Sequence, residues 1–228
     1  MDLVTIQIED GIANIQLKNG KVNAISHQVI TELNAALDQA EAAKAVVVLT
    51  GQPGILSGGY DLKTMQESMT AAMALVTEGS KLTRRMLAFP TPIITACPGH
   101  AVAKGAFLLL CSDYRIGIKG DFKLGLNEVA IGMVMHHAGI EMARGRMPIN
   151  YFNRSVINAE MFNPEQAIAA GLLDIVVEPE HLMATAQKVA GMMKSLNMRA
   201  HHGTKLKARK DLLDAMDLAI ELDAKGSL

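Results

Sequence analysis

Leu56-Ser57-Gly58-Gly59-Tyr60-Asp61-Leu62 follows the apolar run at residues 45–49, and Gly99-His100-Ala101-Val102-Ala103-Lys104-Gly105 follows a second run at residues 93–97. Each is a glycine-bearing turn leading from a strand into a helix-like segment. Glycine admits backbone conformations that other residues avoid, and N–H groups at a helix start lack intrahelical partners, so such turns aim donors at negative charge. Two of them can supply two donors to one oxygen, which is what an oxyanion hole requires. One carboxylate follows close behind, Glu128 in Gly125-Leu126-Asn127-Glu128. A lone acid beside such a hole suits proton transfer next to a carbonyl.

Outward from these turns, strand and helix patterns alternate. Residues 3–9 and Ile12–Leu17 form a hairpin across Asp10-Gly11. Ser26 caps a helix whose apolar face holds Val29, Leu33, Leu37 and Ala40. Residues 45–49 and 93–97 are nearly continuously apolar, the pattern of strands buried on both faces. One long helix is expected from about residue 61 to 88, closed by Phe89-Pro90-Thr91-Pro92. A short apolar helix then ends at Cys111, residues 113–118 form a strand, residues 164–170 a helix closed by Gly171, residues 173–177 a strand and residues 179–196 a helix. This alternation argues an α/β fold with helices covering a sheet. Residues 204–222 form an amphipathic helix with Leu206, Leu213, Met216 and Ile220 on one flank. Its basic cluster, Lys205, Lys207, Arg209 and Lys210, is expected to be a solvated face.

Composition narrows the function classes. The 228 residues are 50% hydrophobic, enough for one well-buried domain, and 22 basic against 23 acidic residues leave a net charge of -1. That balance argues against a nucleic-acid or membrane partner. The start, Met1-Asp2-Leu3-Val4-Thr5-Ile6, has no basic leader character and reads as a strand, so no secretory signal is expected. Cys97 and Cys111 are expected to be buried thiols in a reduced, cytoplasmic protein. Fifteen methionines suit adaptable apolar surfaces without naming a ligand.

Competing chemistries fit poorly. Lys104 precedes Gly105 and Ala106 stands where a phosphate loop needs a hydroxyl, so no Walker loop is present, and neither turn carries a dinucleotide fingerprint. His136-His137 with Glu141 lacks metal-ligand spacing, and no metal site is expected; the histidine pair suits a pocket or interface instead. No Gly-x-Ser-x-Gly elbow marks a serine nucleophile.

The motifs in order, Asn23-Ala24-Ile25, the two glycine turns, Asp113-Tyr114-Arg115-Ile116, Gly125-Leu126-Asn127-Glu128 with Gly132, and residues 167–177, resemble the crotonase (enoyl-CoA hydratase/isomerase) superfamily over roughly residues 3–195. The resemblance implies a crotonase/ClpP-like spiral of ββα units as a core at residues 1–195, with a helical segment at 196–228. It implies a homotrimer or dimer of trimers and an acyl-CoA thioester as substrate, with no cofactor beyond the coenzyme A of that substrate. The oxyanion donors transfer to the backbone N–H groups of Tyr60 and Lys104. The acid–base residue transfers to Glu128. Asn23, Ala24, Gly58, Gly59, Asp61, Leu62, Gly99, His100, Gly105, Phe107 and His136 fall at the substrate site. The Lys104 side chain is expected to point to solvent, with a phosphate contact as the alternative, and the basic cluster near residue 205 offers a CoA-phosphate or subunit contact.

Hydratases of this family use two glutamates, and the first falls on Phe107, whose ring does no acid–base work. The combination is similar to single-glutamate Δ3-Δ2-enoyl-CoA isomerases, which implies double-bond isomerisation through an enolate. An enoyl-CoA hydratase or another crotonase-type thioester reaction is a second reading. A catalytically degenerate acyl-CoA-binding protein is a third.

Overall fold

A computed structural model describes residues 2–226. The outer limits of the expected 1–195 and 196–228 segments, at Met1 and at Ser227-Leu228, lie outside the described residues. Strands β1 (Val4–Glu9) and β2 (Ile12–Leu17) pair antiparallel, and Asp10 and Gly11 both take positive φ, as a tight hairpin turn demands. Ser26 accepts a hydrogen bond from Val29 N and starts α1 (His27–Ala42), which buries Val29, Leu33, Leu37 and Ala40. The chain continues through β3 (Val46–Thr50), β4 (Gly54–Ser57), α2 (Leu62–Glu67), α3 (Met69–Leu87), β5 (Ile93–Ala96), β6 (Gly99–Val102), α4 (Lys104–Leu110), β7 (Tyr114–Ile118) and β8 (Leu124–Gly125). A 3-10 turn at Val129–Ile131 leads to α5 (His137–Arg146), α6 (Ile149–Phe152) and a π-helical turn at Asn153–Ile157. Then follow α7 (Pro164–Ala169), β9 (Ile175–Val177), α8 (Leu182–Lys194), α9 (Met198–Ala208) and α10 (Lys210–Ala224).

From β3 to β8, consecutive strands go to different sheets. A six-stranded sheet runs β1-β2-β3-β5-β7-β9, parallel after the first hairpin, while β4, β6 and β8 build a parallel three-stranded sheet beside it. Each turn of the chain thus contributes one strand to each sheet before a helix or helical turn, which is the spiral of ββα units that the motifs implied. Val46, Val48, Ile94, Ala96, Ile116 and Ile118 pack under Leu182, Ala186, Val189 and Ala190 of α8, while alternate residues of the same strands face the main core. Burial on both faces explains the nearly unbroken apolar runs. Each fully buried aliphatic side chain there contributes about 1.5–3 kcal/mol.

Several expectations need correction. The helix read from residue 61 to 88 is two helices, because Ser68 is extended (φ -164°, ψ 160°) and its hydroxyl accepts from Ala71 N to start α3. Serine competes with helical backbone through such local bonds. Gly99 and His100 lie in a strand rather than a turn; the sharp turn comes later, at Ala103. The segment 204–222 is also split, at Arg209 (φ -103°, ψ 8°), and Leu206 is exposed although Leu213, Met216 and Ile220 are buried.

The basic cluster is only half a solvated face. Lys207 and Lys210 are exposed, but Lys205 is buried and donates to Phe89 O (2.9 Å), Thr91 O (3.1 Å) and Asp113 Oδ2 (2.7 Å). Arg209 donates to Leu87 O (2.8 Å) and pairs with Asp113 Oδ1 (2.9 Å). Asp113 also accepts from Ile93 N (2.8 Å), so one carboxylate ties β5 to the C-terminal helices. Cys97 and Cys111 are buried free thiols, and burial pushes both up to about 12.

Removing Asp113 leaves two cations in its enclosed site without a counter-charge. Asp113→Ala is expected to lower stability by about 3–5 kcal/mol, measured by urea unfolding. Adding Lys205→Met to that variant should recover part of the loss.

Candidate active site

β4 and β6 pair in parallel, Gly54 with Gly99 and Ser57 with Ala101, so the segments leaving them run side by side. A Cβ built on Gly59 would stand 3.1 Å from Ala103 Cβ and 3.9 Å from Lys104 N. On the opposite flank Ile25 N donates to Gly59 O (2.8 Å) and Asp61 N donates to Ile25 O (3.0 Å). Successive N–H groups of an extended segment point in opposite directions, so the Tyr60 N–H faces away from Ile25, toward the Ala103 turn. Lys104 is the first residue of α4, and a helix makes no internal acceptor for that N–H. Ala103 holds the turn at φ 51° and ψ -117°, a conformation that costs a non-glycine residue about 1–3 kcal/mol. Gly105 follows because a Cβ there would lie 2.3 Å from Ser57 O.

Beside these turns is a cavity of about 320 Å³, lined by Tyr60, Glu128, His136 and the methionines Met65, Met69, Met73 and Met133. Glu128 opens the 3-10 turn, where its carbonyl accepts from Met133 N (2.9 Å). Its side chain is 7% exposed and Oε2 has no hydrogen-bond partner. Burial raises this carboxyl to about 7, against a smaller lowering by a backbone hydrogen bond. A carboxyl poised there can both take and return a proton near neutrality. His136 is driven the other way, down to about 4, chiefly by burial, and stays neutral. A larger cavity of about 740 Å³ lies against β1, β2 and Leu182 of α8, but no ionisable side chain lines it. The smaller cavity is the one that Glu128 and His136 line.

The residues singled out in the sequence divide into distinct groups. Tyr60, Glu128 and His136 meet in the cavity, with Gly58, Gly59 and Gly105 shaping the adjoining turns. Phe107 is buried behind His136, ring to ring at 5.6 Å edge-on, and reaches the cavity only through that imidazole. Asn23 (φ 52°) is consumed by the fold: Oδ1 accepts from Asn19 N (2.7 Å), and Nδ2 donates to Leu56 O (2.7 Å) and Leu17 O (3.2 Å). It anchors the loop whose Ala24 and Ile25 flank Gly59. Asp61 caps α2 by accepting from Thr64 N, which holds its carboxyl low, and Leu62 is exposed. Gly99 is a crossing point, since a Cβ there would lie 2.1 Å from Gly54 O.

Two expectations are overturned. His100 does not join this cavity: it packs edge-on against Phe122 at 5.2 Å and its Nδ1 accepts from Lys123 N (3.0 Å). Lys104 does not point to solvent or to a phosphate. Its side chain is 1% exposed, donates to Gly79 O and lies 5.5 Å from the Tyr60 ring centroid. Neighbours with no sequence signal complete the site. Gly79 leaves room for the Tyr60 hydroxyl, which a Cβ would meet at 2.2 Å. Asp223 of α10 accepts from His137 N (2.8 Å) and Ala138 N (3.0 Å), fixing the start of α5 behind His136. The methionines could have been foreseen only from their spacing of four, which reads equally as ordinary helix face.

The model for the enoyl-CoA hydratase/isomerase family matches residues 7–225. A crystal structure of an enoyl-CoA hydratase/isomerase family protein from Pseudomonas syringae is 63% identical, with a TM-score of 0.98 over 100% of this chain and 99% of that one. A protein of Mycobacterium tuberculosis, described in one structure as an enoyl-CoA isomerase and in another as a probable enoyl-CoA hydratase, is 36% identical, with a TM-score of 0.94 over 98% of both chains in the first. A crotonyl-CoA hydratase of Syntrophomonas wolfei is 26% identical over 98% of this chain and 88% of its own length.

Burying Glu128 has a pH-dependent cost. Its folded-state pKa of about 7 lies above the ordinary 4.5, so the native state binds the extra proton and stability falls as pH rises from about 4.5 to 7. Glu128→Gln removes that cost. It is expected to be more stable than the parent by about 3 kcal/mol above pH 8 and no more stable below pH 4, read from denaturant midpoints across that range.

Proposed function

As the chain belongs to the enoyl-CoA hydratase/isomerase family, we propose that it is an enoyl-CoA isomerase that moves a double bond with Glu128 as its one acid–base group. The thioester oxygen of a 3-enoyl-CoA would lie between the N–H groups of Tyr60 and Lys104. Glu128 would take a proton from C2, giving a dienolate with its charge on that oxygen, and the same carboxyl would return a proton at C4. Each oxyanion donor stabilises such a transition state by about 2.7–4 kcal/mol. The methionine-rich wall would exclude water from the dienolate.

The observation that carries this reading is the single carboxylate of the cavity, buried, without a partner at Oε2 and raised to about 7. Hydration would need a second group to deliver a proton or water. The position expected for it is Phe107, and the neighbouring His136 is held neutral well below physiological pH. Relatives named both isomerase and hydratase make hydration the alternative to be tested directly.

Incubation with 2- and 3-enoyl-CoA thioesters of varied chain length, followed by mass, separates the outcomes. Isomerisation leaves mass unchanged and hydration adds water. Glu128→Gln is expected to cut kcat by a thousandfold or more, with acyl-CoA binding nearly unaltered. In the parent enzyme kcat/KM should rise with pH through about 7, as Glu128 ionises.

A further inference from the structure

Lys104 is a buried cation whose acceptors are neutral. Its ammonium donates to Gly79 O and lies 3.4 Å from Thr83 Oγ1, both on α3, and it faces the Tyr60 ring at 5.5 Å from the centroid. Lys205, the other buried lysine named above, faces the carboxylate of Asp113 instead. Evolving a lysine into such a place is costly: burial pushes it down to about 7. A methionine would fill the same space without that cost.

Its position relative to the two turns suggests what offsets the cost. Bond lengths keep a lysine Nζ within about 7.5 Å of its own backbone N, and in a helix the side chain leans toward the N-terminal end. The ammonium therefore lies within that reach of the Lys104 N–H and beside the ring of Tyr60, the residue that carries the other N–H and lines the cavity. In a medium of low polarity a unit charge is felt over that distance. Tyr60 lines the cavity and Lys104 does not, so the cation would act through its field rather than by contact.

Resting on the reading that these two N–H groups hold a thioester oxygen, we propose that the Lys104 ammonium stabilises the enolate electrostatically from beside Tyr60, without touching substrate. The titratable groups that face it are few. Tyr60 on its turn and Cys111 at the end of α4 are both pushed up by burial and stay neutral. His136 ahead of α5 is held neutral, Asp223 of α10 is engaged with the start of α5, and Glu128 lies across the cavity. Loss of the Lys104 proton should then produce a falling alkaline limb in kcat/KM, set against the rising limb from Glu128.

The test is Lys104→Met, which retains the backbone N–H. Expected are a fall in kcat of about tenfold or more, KM within about threefold, an undiminished unfolding temperature, and disappearance of the alkaline limb while the acid limb persists. An unchanged kcat, or a fall that leaves the alkaline limb in place, overturns the proposal. Lys104→Gln serves as a second neutral variant, and failure of both to fold also overturns it, since the lysine would then be structural. A parent enzyme that turns over no enoyl-CoA removes the isomerase reading and this proposal together. If the parent is active and Glu128→Gln is not, that reading stands and the Lys104 variants judge the electrostatic role alone.

Discussion

The small parallel sheet depends on backbone segments approaching closer than any side chain would allow. Gly99 crosses Gly54 where a Cβ would lie 2.1 Å from a carbonyl oxygen, and Gly105 lets α4 rest against Ser57 O where a Cβ would lie 2.3 Å away. Those contacts fix the register of β4 against β6, and register decides everything downstream. It sets Tyr60 beside Ala103, turns the Tyr60 N–H toward α4 and brings the start of α4 up to the same space. Ala103 completes the turn at a backbone conformation that glycine would adopt without strain. Its methyl, 3.1 Å from where a Gly59 Cβ would stand, shows why the facing residue carries no side chain.

This geometry explains which parts of the fold were legible in the sequence. The strands of the large sheet are buried on both faces, so their composition announces them, and Ser26 marks the start of α1 by its chemistry. The strands of the small sheet are four, four and two residues long and read as loop, because their only partners are distant segments of the chain. Gly99 reads as a turn because a glycine needed for close approach looks, in one dimension, like a glycine needed for bending. The break at Ser68 is a local competition between capping and helix that composition does not resolve.

Side-chain direction was the least legible property. Charged residues default to solvent, and Lys207 and Lys210 obey. Lys205 and Lys104 do not, for opposite reasons. Lys205 enters the protein to meet Asp113, whose carboxylate is itself fixed by Ile93 N and Arg209. Nothing near residue 205 names that partner, which lies 92 residues away in sequence. Lys104 enters to donate to the carbonyl of Gly79, 25 residues away in sequence, beside a Tyr60 ring that the missing side chain at Gly79 admits.

The contrast between those two lysines separates structure from function on physical grounds. Buried polar groups that serve the fold are compensated: Asn23 has three partners, Asp113 three, and Asp223 caps two N–H groups. Around the cavity the compensation is withheld. Glu128 keeps an unpartnered oxygen, Lys104 has no counter-ion among its contacts, and His136 is held neutral by burial. Each omission lowers stability, and each leaves a group whose interactions are available to something that arrives later. A thioester oxygen gaining negative charge would supply what Lys104 and the two N–H groups lack, and a carbon acid would supply the proton that Glu128 is poised to exchange. Ser155 Oγ and His201 Nε2 also lack partners elsewhere, but only around this cavity do an unpartnered carboxylate oxygen and a buried ammonium without a counter-ion among its contacts occur together, as a site built to stabilise a transient charge requires.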